Sequence, residues 1–302
     1  MKKITLVTIN YNAAADTKKM LASLKYISHP DFNLSVIIVD NASREKFTLD
    51  SQAENITIIR SEENTGFAGG CNIGMTQALR DGADYVLLLN NDTIVDTKLV
   101  LELLKGLEAE PKAGITVPKI YFAKGHEFHK DRYKKEELGR VFWYAGGFTD
   151  WSHVFSNHRG VDEVDNGQYD EVTKVDFATG CCMLIKKEVI EKVGMFDERY
   201  FLYFEDADFS ERTKKAGFAI YYMPKAKLWH ITSASTGGSG SKLHDYFLTR
   251  NRLLFGFSYA PLRTKIALLR ESIRFLQKGR SSQKQGVKDF FQAKFGKGTF
   301  LT

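Results

Sequence analysis

Residues 4–12 are Ile4-Thr5-Leu6-Val7-Thr8-Ile9-Asn10-Tyr11-Asn12, an apolar run that ends in three polar residues. A continuous run of this length is typical of a strand that is buried on both faces, as in a parallel sheet. Two later apolar runs end in the same way, Ser35 to Asp40 before Asn41 and Tyr85 to Leu89 before Asn90-Asn91-Asp92. Because ligands bind at the carboxyl ends of parallel strands, the recurrence predicts a binding site at one edge of a sheet.

Strand and helix patterns alternate through the first 120 residues. Strands are predicted at 4–9, 35–40, 56–60 and 85–89, and helices at 14–26, 68–81 and 98–108. Short apolar strands that are separated by helices favour parallel pairing through right-handed crossovers. The sequence therefore predicts an α/β fold with a doubly wound, mostly parallel central sheet flanked by helices.

The pattern changes after residue 121. From Phe122 to Thr173 it is irregular and rich in aromatic residues, His and Gly, which indicates loops and a small antiparallel section beside the sheet. Regular patterns then predict strands at 182–186 and 219–223 and helices at 187–193 and 206–216. The tail from Lys242 onward is predicted to be mainly helical.

The composition is that of a globular protein with unevenly placed charge. The 302 residues are 43% hydrophobic and 26% charged, which excludes a disordered, collagen-like or coiled-coil protein. Three cysteines are too few for a disulfide framework and favour a reducing, cytosolic compartment. Residues 242–302 carry a balance of +10, whereas the rest of the chain carries −4. The tail should therefore be attracted to a polyanion, either an anionic membrane or a nucleic acid.

One predicted helix of the tail is amphipathic and basic. Between residues 262 and 276 an apolar stripe is flanked by Arg263, Arg270 and Arg274. The stripe consists of Leu262, Ile266, Leu269, Ile273 and Leu276. Such a helix can lie on an anionic membrane, or it can pack on the body of the protein or on a second copy in a homodimer. No leader is expected, nor any membrane-spanning segment, since the longest apolar runs are far below ~20 residues.

Several common signatures are missing from the chain. The sequence contains no GxxxxGK[ST] phosphate loop, no GxSxG elbow and no HExxH motif. The stretch Asn64-Thr65-Gly66-Phe67-Ala68-Gly69-Gly70 is glycine-rich, but it does not match GxGxxG and gives little support to a nicotinamide-binding domain. A nucleic-acid partner is not expected either, since no recognised nucleic-acid module is present.

Two acidic segments are candidates for chemistry. Asp92 follows a hydrophobic strand, where a carboxylate can bind a divalent cation together with substrate phosphates; the alternative is a turn, which Asn and Asp also favour. Glu205, Asp206 and Asp208 begin a helix after four bulky apolar residues. They could cap that helix, but such crowding also raises a carboxyl pKa and prepares a general base. His230 precedes a Ser/Thr/Gly-rich loop, 232–241, of the kind that closes over ligands.

Together these segments resemble the family 2 glycosyltransferases, which have the GT-A fold, and most of all their bacterial rhamnosyltransferase-like branch. The matching stretches occur in the family's order and span roughly residues 4 to 255. They are 7–12, 39–43, 64–74, 90–92, 179–180, 196–208 and 229–230.

The resemblance implies a nucleoside diphosphate sugar as the donor and a divalent metal, Mg²⁺ or Mn²⁺, as the cofactor. The implied donor-binding residues are Thr8, Asn10, Tyr11, Asp40, Asn64, Gly66, Asn72, Asn90, Asn91 and Asp92. Asn90 stands where the family has the first acid of its Asp-x-Asp motif, which leaves Asp92 as the main carboxylate ligand. Asp92 and His230 are the implied metal ligands.

The resemblance also implies inverting transfer to a hydroxyl group, with Asp206 as the general base and Glu205 beside it. Trp143, Gly146, Gly147 and Asp208 are the implied acceptor-binding residues, although the aromatic segment that follows Trp143 could equally be a packed insert. Arg250 or Arg252 is a candidate for a phosphate contact; the alternative is a solvated helix arginine.

The expected reaction moves L-rhamnose from dTDP-rhamnose to a glycan or to a polyprenyl-diphosphate-linked saccharide. The alternatives are a UDP-hexose donor and a sugar-nucleotide-binding protein that lacks turnover. The expected GT-A domain, 1–241, has a nucleotide-binding half, 1–120, and an acceptor-binding and catalytic half, 121–241. A basic helical extension, 242–302, follows, and the protein is expected in the cytoplasm or peripherally on the inner face of the cell membrane.

Overall fold

The structure is a computed structural model that describes residues 1–51, 53–231 and 240–301. Its first half forms the parallel part of a mixed sheet. The elements are β1 (Lys2–Asn10), α1 (Ala14–Leu24), β2 (Phe32–Asn41), β3 (Ile56–Ser61), α2 (Gly66–Arg80) and β4 (Tyr85–Leu89). β1 pairs in parallel with β2 and β4, and β2 pairs in parallel with β3. The predicted strands and helices of this half are confirmed to within a few residues.

The second half extends the same sheet with antiparallel and parallel pairings. Its elements are β5 (Thr93–Val95), α3 (Leu99–Ala109), β6 (Ala113–Phe122), β7 (Phe142–Tyr144), β8 (Gly147–Asp150), β9 (Phe155–His158), β10 (Thr173–Val175), β11 (Cys182–Lys186), α4 (Lys187–Val193), α5 (Glu205–Lys215) and β12 (Ala219–His230). The strand order is β10-β12-β6-β11-β4-β1-β2-β3, with β5 paired to β12 and β7 paired to β6. β8 and β9 form a separate antiparallel pair. The predicted fold class, with its small antiparallel section, is confirmed.

β6 lies inside the sheet although the sequence did not predict it. Pro118 interrupts its apolar pattern, and a proline cannot donate to a sheet ladder. The pairing with β12 is irregular at this point, because the register shifts between Met223, the partner of Pro118, and Lys227. The next residue, Lys119, is buried and binds a carboxylate oxygen of Asp165 at 2.8 Å. These long-range contacts let an interrupted segment serve as a core strand.

The predicted helical tail is confirmed as three helices. They are α6 (Lys242–Tyr259), α7 (Leu262–Lys278) and α8 (Ser281–Phe291). α6 packs on the body through aromatic pairs: Phe247 stacks on Phe201, with 5.3 Å between ring centroids, and Phe255 stacks on Trp151 at 5.4 Å. Within the part of the chain that the structure describes, no helix is both long and apolar enough to cross a membrane.

Candidate active site

A line of side-chain hydrogen bonds crosses the carboxyl ends of β4, β1 and β2. Nδ2 of Asn91 donates to Oγ1 of Thr17 at 2.9 Å, and that hydroxyl donates to Oδ1 of Asn10 at 2.9 Å. Nδ2 of Asn10 donates in turn to Asp40 at 3.3 Å and to the hydroxyl of Ser43 at 3.0 Å. The structure thus brings three of the residues assigned to the donor, Asn10, Asp40 and Asn91, to one edge of the sheet.

Asp40 is buried at this edge and accepts several hydrogen bonds. Nη1 of Arg60 donates to its Oδ2 at 2.6 Å, and the backbone N–H of Phe47 donates to the same atom at 2.9 Å. Burial alone would raise the pKa of Asp40, but the bonds from Ser43, Phe47, Arg60 and Asn10 outweigh it and hold the pKa below its usual value. Asp40 is therefore ionised, and it fixes the loop that follows β2.

Thr8 and Tyr11 flank the end of β1 and differ in exposure. Thr8 is buried, and its hydroxyl has no hydrogen-bond partner among the described atoms. Asn10, Asp40 and Asn91 together form what we call the polar edge of the sheet. Tyr11 is 46% exposed, so its ring is accessible to a ligand that binds at this polar edge. Both positions agree with the predicted site, and their contacts with a donor remain a prediction.

The glycine turn before α2 is held by two asparagines. Oδ1 of Asn64 accepts the N–H of Gly66 at 2.9 Å, and Nδ2 of Asn41 donates to the carbonyl of Gly66 at 2.9 Å. Gly66 has a φ of +75°, and a Cβ there would collide with the carbonyl oxygen of Phe201. That oxygen accepts the N–H of Phe67 at 2.7 Å, at the start of α2. The carbonyl of Phe201 can therefore approach the start of α2 this closely only because residue 66 is a glycine. A donor contact at Asn64 or Gly66 remains a prediction.

Asn72 lies on α2 and holds the segment that leads to the acidic helix. Its Nδ2 donates to the carbonyl of Phe196 and to Oε1 of Glu198, both at 2.9 Å. Its Oδ1 accepts the N–H of Phe196 at 3.0 Å. All three bonds stay within the protein and use both N–H groups of the amide, so only Oδ1 could accept a further bond from a donor.

Asp92 and His230 face each other across the β5–β12 pair. Nε2 of His230 lies 3.0 Å from Oδ1 of Asp92, and both residues are buried. Nδ1 of His230 is buried without a hydrogen-bond partner among the described residues. The His230 ring packs edge-to-face on Trp143 with 4.6 Å between centroids. The two predicted metal ligands thus lie together, and Trp143, predicted on the acceptor side, contacts one of them.

This pair fits a divalent cation whose other ligands come from outside the protein. Mg²⁺ and Mn²⁺ prefer carboxylate oxygen, and Mg²⁺ in particular keeps several waters and takes substrate phosphates as further ligands. In the ranges 1–51, 53–231 and 240–301, no group of three or more His, Cys, Asp or Glu side chains is placed to hold a metal. One carboxylate and one imidazole with an unsatisfied nitrogen are therefore suited to an ion that arrives with a diphosphate.

Asp206 and the Asn90-Asn91-Asp92 segment are joined by two consecutive residues. The N–H of Gly180 donates to Oδ2 of Asp206 at 2.8 Å. The carbonyl of the next residue, Cys181, accepts the N–H of Asn90 at 2.8 Å. The predicted base and the predicted metal-binding segment therefore lie close to each other at the same edge of the sheet.

The two carboxyl groups at the start of α5 have raised pKa values. Burial raises the pKa of Asp206 to about 6, against the opposing hydrogen bonds from the N–H groups of Gly180 and Ala207. Glu205 is buried beside it, and burial, then the charges of Asp206 and Asp208, raise the pKa of Glu205 well above its usual value. Glu205 is therefore harder to ionise than a free glutamate, and the pKa of about 6 at Asp206 suits a general base.

Asp208 lies in the next part of the helix with both oxygens engaged. Its Oδ2 accepts Nε of Arg212 at 2.7 Å, and its Oδ1 accepts the hydroxyl of Tyr259 at 2.6 Å. These bonds tie α5 to α6. Asp208 is also only 3% exposed, and the acceptor contact predicted for it remains a prediction.

Gly146 and Gly147 are buried in the segment between β7 and β8. A Cβ on Gly146 would lie 2.9 Å from Cγ1 of Val175, and one on Gly147 would lie 2.6 Å from Cδ1 of Phe177. The glycines thus allow close packing of this segment, and the acceptor contact predicted for them remains a prediction.

Sequence reasoning missed the residues that hold the predicted ones. Asn41 and Ser43 lie in the matching stretch 39–43 beside Asp40, but no role was predicted for them. Thr17 and Arg60 lie on other elements and give no local signal. Of the loop predicted to close over a ligand, residues 232–239 lie outside the described residues.

The sequence of the chain is similar to those of known glycosyltransferases. A family model described as "Glycosyl transferase family 2" matches residues 5–194. The N-acetylglucosaminyl-diphospho-decaprenol L-rhamnosyltransferase of Mycobacterium tuberculosis is 25% identical over 248 residues, which cover 78% of each chain. The dTDP-rhamnosyl transferase RfbF of Shigella flexneri is 26% identical over 246 residues, which cover 78% of this chain and 75% of its own.

A solved structure shows the same fold at lower identity. The crystal structure of GalNAc-T7 with UDP, GalNAc and Mn²⁺ aligns with a TM-score of 0.60 and 15% identity. The alignment covers 97% of this chain and 57% of that chain. At this level of identity the likeness concerns the fold alone.

Proposed function

Because the chain belongs to glycosyl transferase family 2, we propose that it transfers a sugar from a nucleoside diphosphate to an acceptor hydroxyl, with inversion at the anomeric carbon. The family and the enzyme class predicted from the sequence, a glycosyltransferase, are confirmed. The link between Asp206 and Asn90 through Gly180 and Cys181 is the observation that carries the proposed mechanism. It brings a proton acceptor to the edge where the donor would lie.

We propose L-rhamnose, donated by dTDP-rhamnose, as the transferred sugar. Two relatives at about a quarter identity are named as rhamnosyltransferases, one of them for dTDP-rhamnose. The name of the mycobacterial relative contains a diphospho-decaprenol acceptor, which supports a saccharide on a polyprenyl diphosphate as the acceptor here. A UDP-hexose donor is the alternative.

In this proposal the polar edge binds the donor. Asn10, Asp40 and Asn91 fix the loops that surround the nucleoside, and Tyr11 supplies an accessible ring beside it. The division into a nucleotide-binding half, 1–120, and an acceptor-binding and catalytic half, 121–241, follows from these assignments. The diphosphate then lies toward Asp92 and His230, at the ends of the next strands.

Asp206 takes the proton of the acceptor hydroxyl as the hydroxyl oxygen bonds to the anomeric carbon. The bond from that carbon to the diphosphate oxygen breaks on the opposite face, and the nucleoside diphosphate leaves with the electron pair. The transition state resembles an oxocarbenium ion, as in glycoside hydrolysis. Protonated Glu205 keeps a second negative charge away from Asp206, which leaves Asp206 as the group that accepts the proton.

A divalent cation, Mg²⁺ or Mn²⁺, when bound would act as a Lewis acid that neutralises charge on the leaving diphosphate. Asp92 and His230 are the residues that would hold it. Trp143 packs on the His230 ring and fixes its orientation. With Asn90 in place of an acid, this chain offers one carboxylate there, so phosphate oxygens contribute more to holding the ion.

A panel of nucleotide sugars tests this function. We expect dTDP-rhamnose with Mn²⁺ to raise the melting temperature, because a ligand that binds the folded state must stabilise it. We also expect release of dTDP when a polyprenyl-diphosphate-linked saccharide is added. Binding without release would favour a sugar-nucleotide-binding protein, and no shift with dTDP, UDP or GDP sugars would overturn the proposal.

We also propose that α7 seats the protein on an anionic membrane surface, on the cytoplasmic side where a lipid-linked acceptor is reached. The five stripe residues of the helix are 40–74% exposed. Arg263, Arg270 and Arg274 border the stripe, as a basic interfacial helix requires. The three cysteines are buried and free, which agrees with a reducing compartment. A homodimer formed through the same stripe is the alternative.

A further inference from the structure

The turn before Asp206 holds three residues in the left-handed region of backbone space. Phe201, Tyr203 and Phe204 have φ values of +64°, +69° and +73°, and none of them is a glycine. A non-glycine residue in this region is energetically unfavourable and persists only where its surroundings fix it. Phe204 is the residue before α5, so its conformation sets the direction of the first helical turn, which carries Asp206.

Asn251 of α6 binds the carbonyl groups of this turn. Its Nδ2 lies 2.8 Å from the carbonyl oxygens of Tyr200 and Leu202 and 2.9 Å from that of Tyr203. Its Oδ1 accepts Nε of Arg250 at 2.9 Å. Because the guanidinium can only donate, this bond orients the amide so that its nitrogen faces the turn.

Arg250 binds the same turn from the adjacent position of the helix. Its Nη2 donates to the carbonyls of Arg199 and Tyr200, both at 3.1 Å, and its Nη1 donates to the carbonyl of Gly296 at 2.8 Å. The side chain is 0% exposed, and no described carboxylate forms an ion pair with it. A phosphate therefore cannot reach Arg250. Arg252, the other arginine considered for that contact, donates to the carbonyl of His153 at 2.7 Å and to Glu271 at 2.6 Å, and its phosphate contact remains a prediction.

The arrangement is unusual for a residue that serves packing alone. A buried cation without a carboxylate partner is costly unless its donors are all bonded. Arg250 meets this condition with two carbonyls of the turn, those of Arg199 and Tyr200, and with acceptors outside it, such as the carbonyl of Gly296 and Oδ1 of Asn251. The fifth carbonyl of the turn, that of Phe201, is bound by the N–H of Phe67 on α2. The carbonyls of residues 199–203 are thus all fixed from neighbouring elements.

We propose that Arg250 and Asn251 are positioning residues that hold the 199–204 turn and thereby place the Asp206 carboxylate against the bound donor. The inference rests on the proposed function, in which Asp206 accepts the proton. Neither residue touches substrate, so their loss should reduce turnover and leave donor binding almost unchanged. A displacement of about 1 Å at a reacting group can cost a factor of about 100 in rate.

Three variants of the full chain test the proposal. Asn251→Ala removes the amide, Asn251→Asp keeps its size but cannot donate to the carbonyls, and Arg250→Lys keeps the charge and part of the donation. With dTDP-rhamnose, Mn²⁺ and a polyprenyl-diphosphate-linked acceptor, we expect kcat per folded molecule to fall about 10- to 100-fold in both Asn251 variants. The fall should be smaller in Arg250→Lys, and the donor KM should stay within about threefold.

The matched control is Leu268→Ala. Leu268 is buried on α7 and packs against Gly256 of α6, so its loss destabilises the same helices without touching the turn. We expect this variant to melt earlier and to keep its kcat. A normal kcat in the Asn251 variants, or a kcat loss of the same size in Leu268→Ala, would overturn the positioning role.

Hydrogen exchange separates this inference from the proposed function. The amides of residues 201–209 should exchange faster in Asn251→Ala and Arg250→Lys than in the wild type or in Leu268→Ala. If the wild type turns over no nucleotide sugar, the proposed function fails. If amide exchange of residues 201–209 is unchanged in the variants, Arg250 and Asn251 do not hold the turn, whatever the function is. Arg250→Lys keeps the test available if the Asn251 variants do not fold.

Discussion

Nε2 of His230 lies 3.0 Å from Oδ1 of Asp92, although the two residues are 138 positions apart. The backbone holds them in the same relation, because the N–H of Ile231 donates to the carbonyl of Asp92 at 2.8 Å. Thr93 and His230 are also register partners in the β5–β12 pair. The pair is therefore built by the sheet itself, before any ligand binds.

Loss of this pair should weaken the response to a divalent ion. We expect Asp92→Asn and His230→Ala each to raise the Mn²⁺ concentration for half-maximal transfer by at least about tenfold, since even groups that only orient metal ligands are worth this much. A Mn²⁺ titration of nucleoside diphosphate release measures the effect. Asp96→Asn is the control, because Asp96 is an acid that directly follows β5 and accepts the N–H of Lys98 at 2.8 Å. Unchanged Mn²⁺ dependence in both variants would remove the metal assignment.

Asp206→Asn should abolish transfer without preventing donor binding. Loss of a general base reduces the rate by about 10²–10⁴-fold, whereas the polar edge around Asp40 remains intact. Transfer assays and calorimetry with dTDP-rhamnose measure the two effects separately. Asp197→Asn provides the control, because Asp197 precedes the same helix but is bound to Arg199. Turnover near the wild-type level in Asp206→Asn contradicts the assignment.

The raised pKa of Asp206 predicts a pH dependence of both rate and stability. Transfer should decline below a pH of about 6, where Asp206 becomes protonated. A carboxyl group whose pKa is raised in the folded state makes stability fall as pH rises from its unfolded pKa to its folded pKa. Relative to the wild type, Asp206→Asn should therefore melt higher at pH 7.5 than at pH 4, on top of a pH-independent loss, because its single amide oxygen cannot accept the N–H groups of both Gly180 and Ala207 in the same way. A melting series across this range measures it, and a constant difference would contradict it.

Much of the fold could be predicted because its signals are local. β1, β2 and β4 are unbroken apolar runs, and each was placed to within a few residues. β6 could not be predicted, because its proline and lysine are accommodated by a register shift opposite Met223 and by a carboxylate at Asp165. Met223 and Asp165 are both remote in sequence from β6, so no local sequence pattern predicts these contacts.

Those residues of the candidate site whose position is set by the order of the parallel strands could be predicted from the sequence. Asn10, Asp40 and Asn91 follow strands whose carboxyl ends meet at one edge, and the structure places them together. The contacts of Asn72 and Asp208 were not predictable, because their partners, Phe196 and Tyr259, lie 124 and 51 residues away. Sequence reasoning could name these polar residues, but it could not tell which ones face a ligand and which ones bind the protein.

Gly66→Ala should destabilise the protein far more than an equivalent change at Gly125. Both glycines have positive φ, +75° and +87°, but a Cβ on Gly66 meets Phe201 whereas one on Gly125 has nothing within 4 Å. We expect Gly125→Ala to cost about 1 kcal/mol for its backbone conformation and Gly66→Ala to cost more than about 3 kcal/mol. Urea unfolding measures both values. Equal losses would show that the approach of Phe201 is not tight.

A charge on the apolar stripe of α7 should abolish binding to anionic vesicles. Ile273→Asp replaces an aliphatic residue that is 51% exposed, so the fold should survive while the stripe loses its affinity for the acyl boundary. We expect the wild type to float with vesicles of phosphatidylglycerol and phosphatidylcholine and to bind less at high salt, since each basic residue contributes about 1 kcal/mol near an anionic surface. Ala267→Asp adds the same charge on the exposed side of the helix that carries Arg263, Arg270 and Arg274, and it should weaken flotation only slightly.

The same two variants decide between the membrane and a second copy of the chain. If the stripe covers itself in a homodimer, the wild type should not float with either neutral or anionic vesicles, and light scattering should give twice the mass of the 34.3 kDa chain. Ile273→Asp would then yield a monomer, whereas Ala267→Asp would remain a dimer. A monomeric wild type that stays at the bottom of the gradient with both lipid compositions rules out both uses of α7, because five exposed aliphatic residues would then contact neither lipid nor another chain.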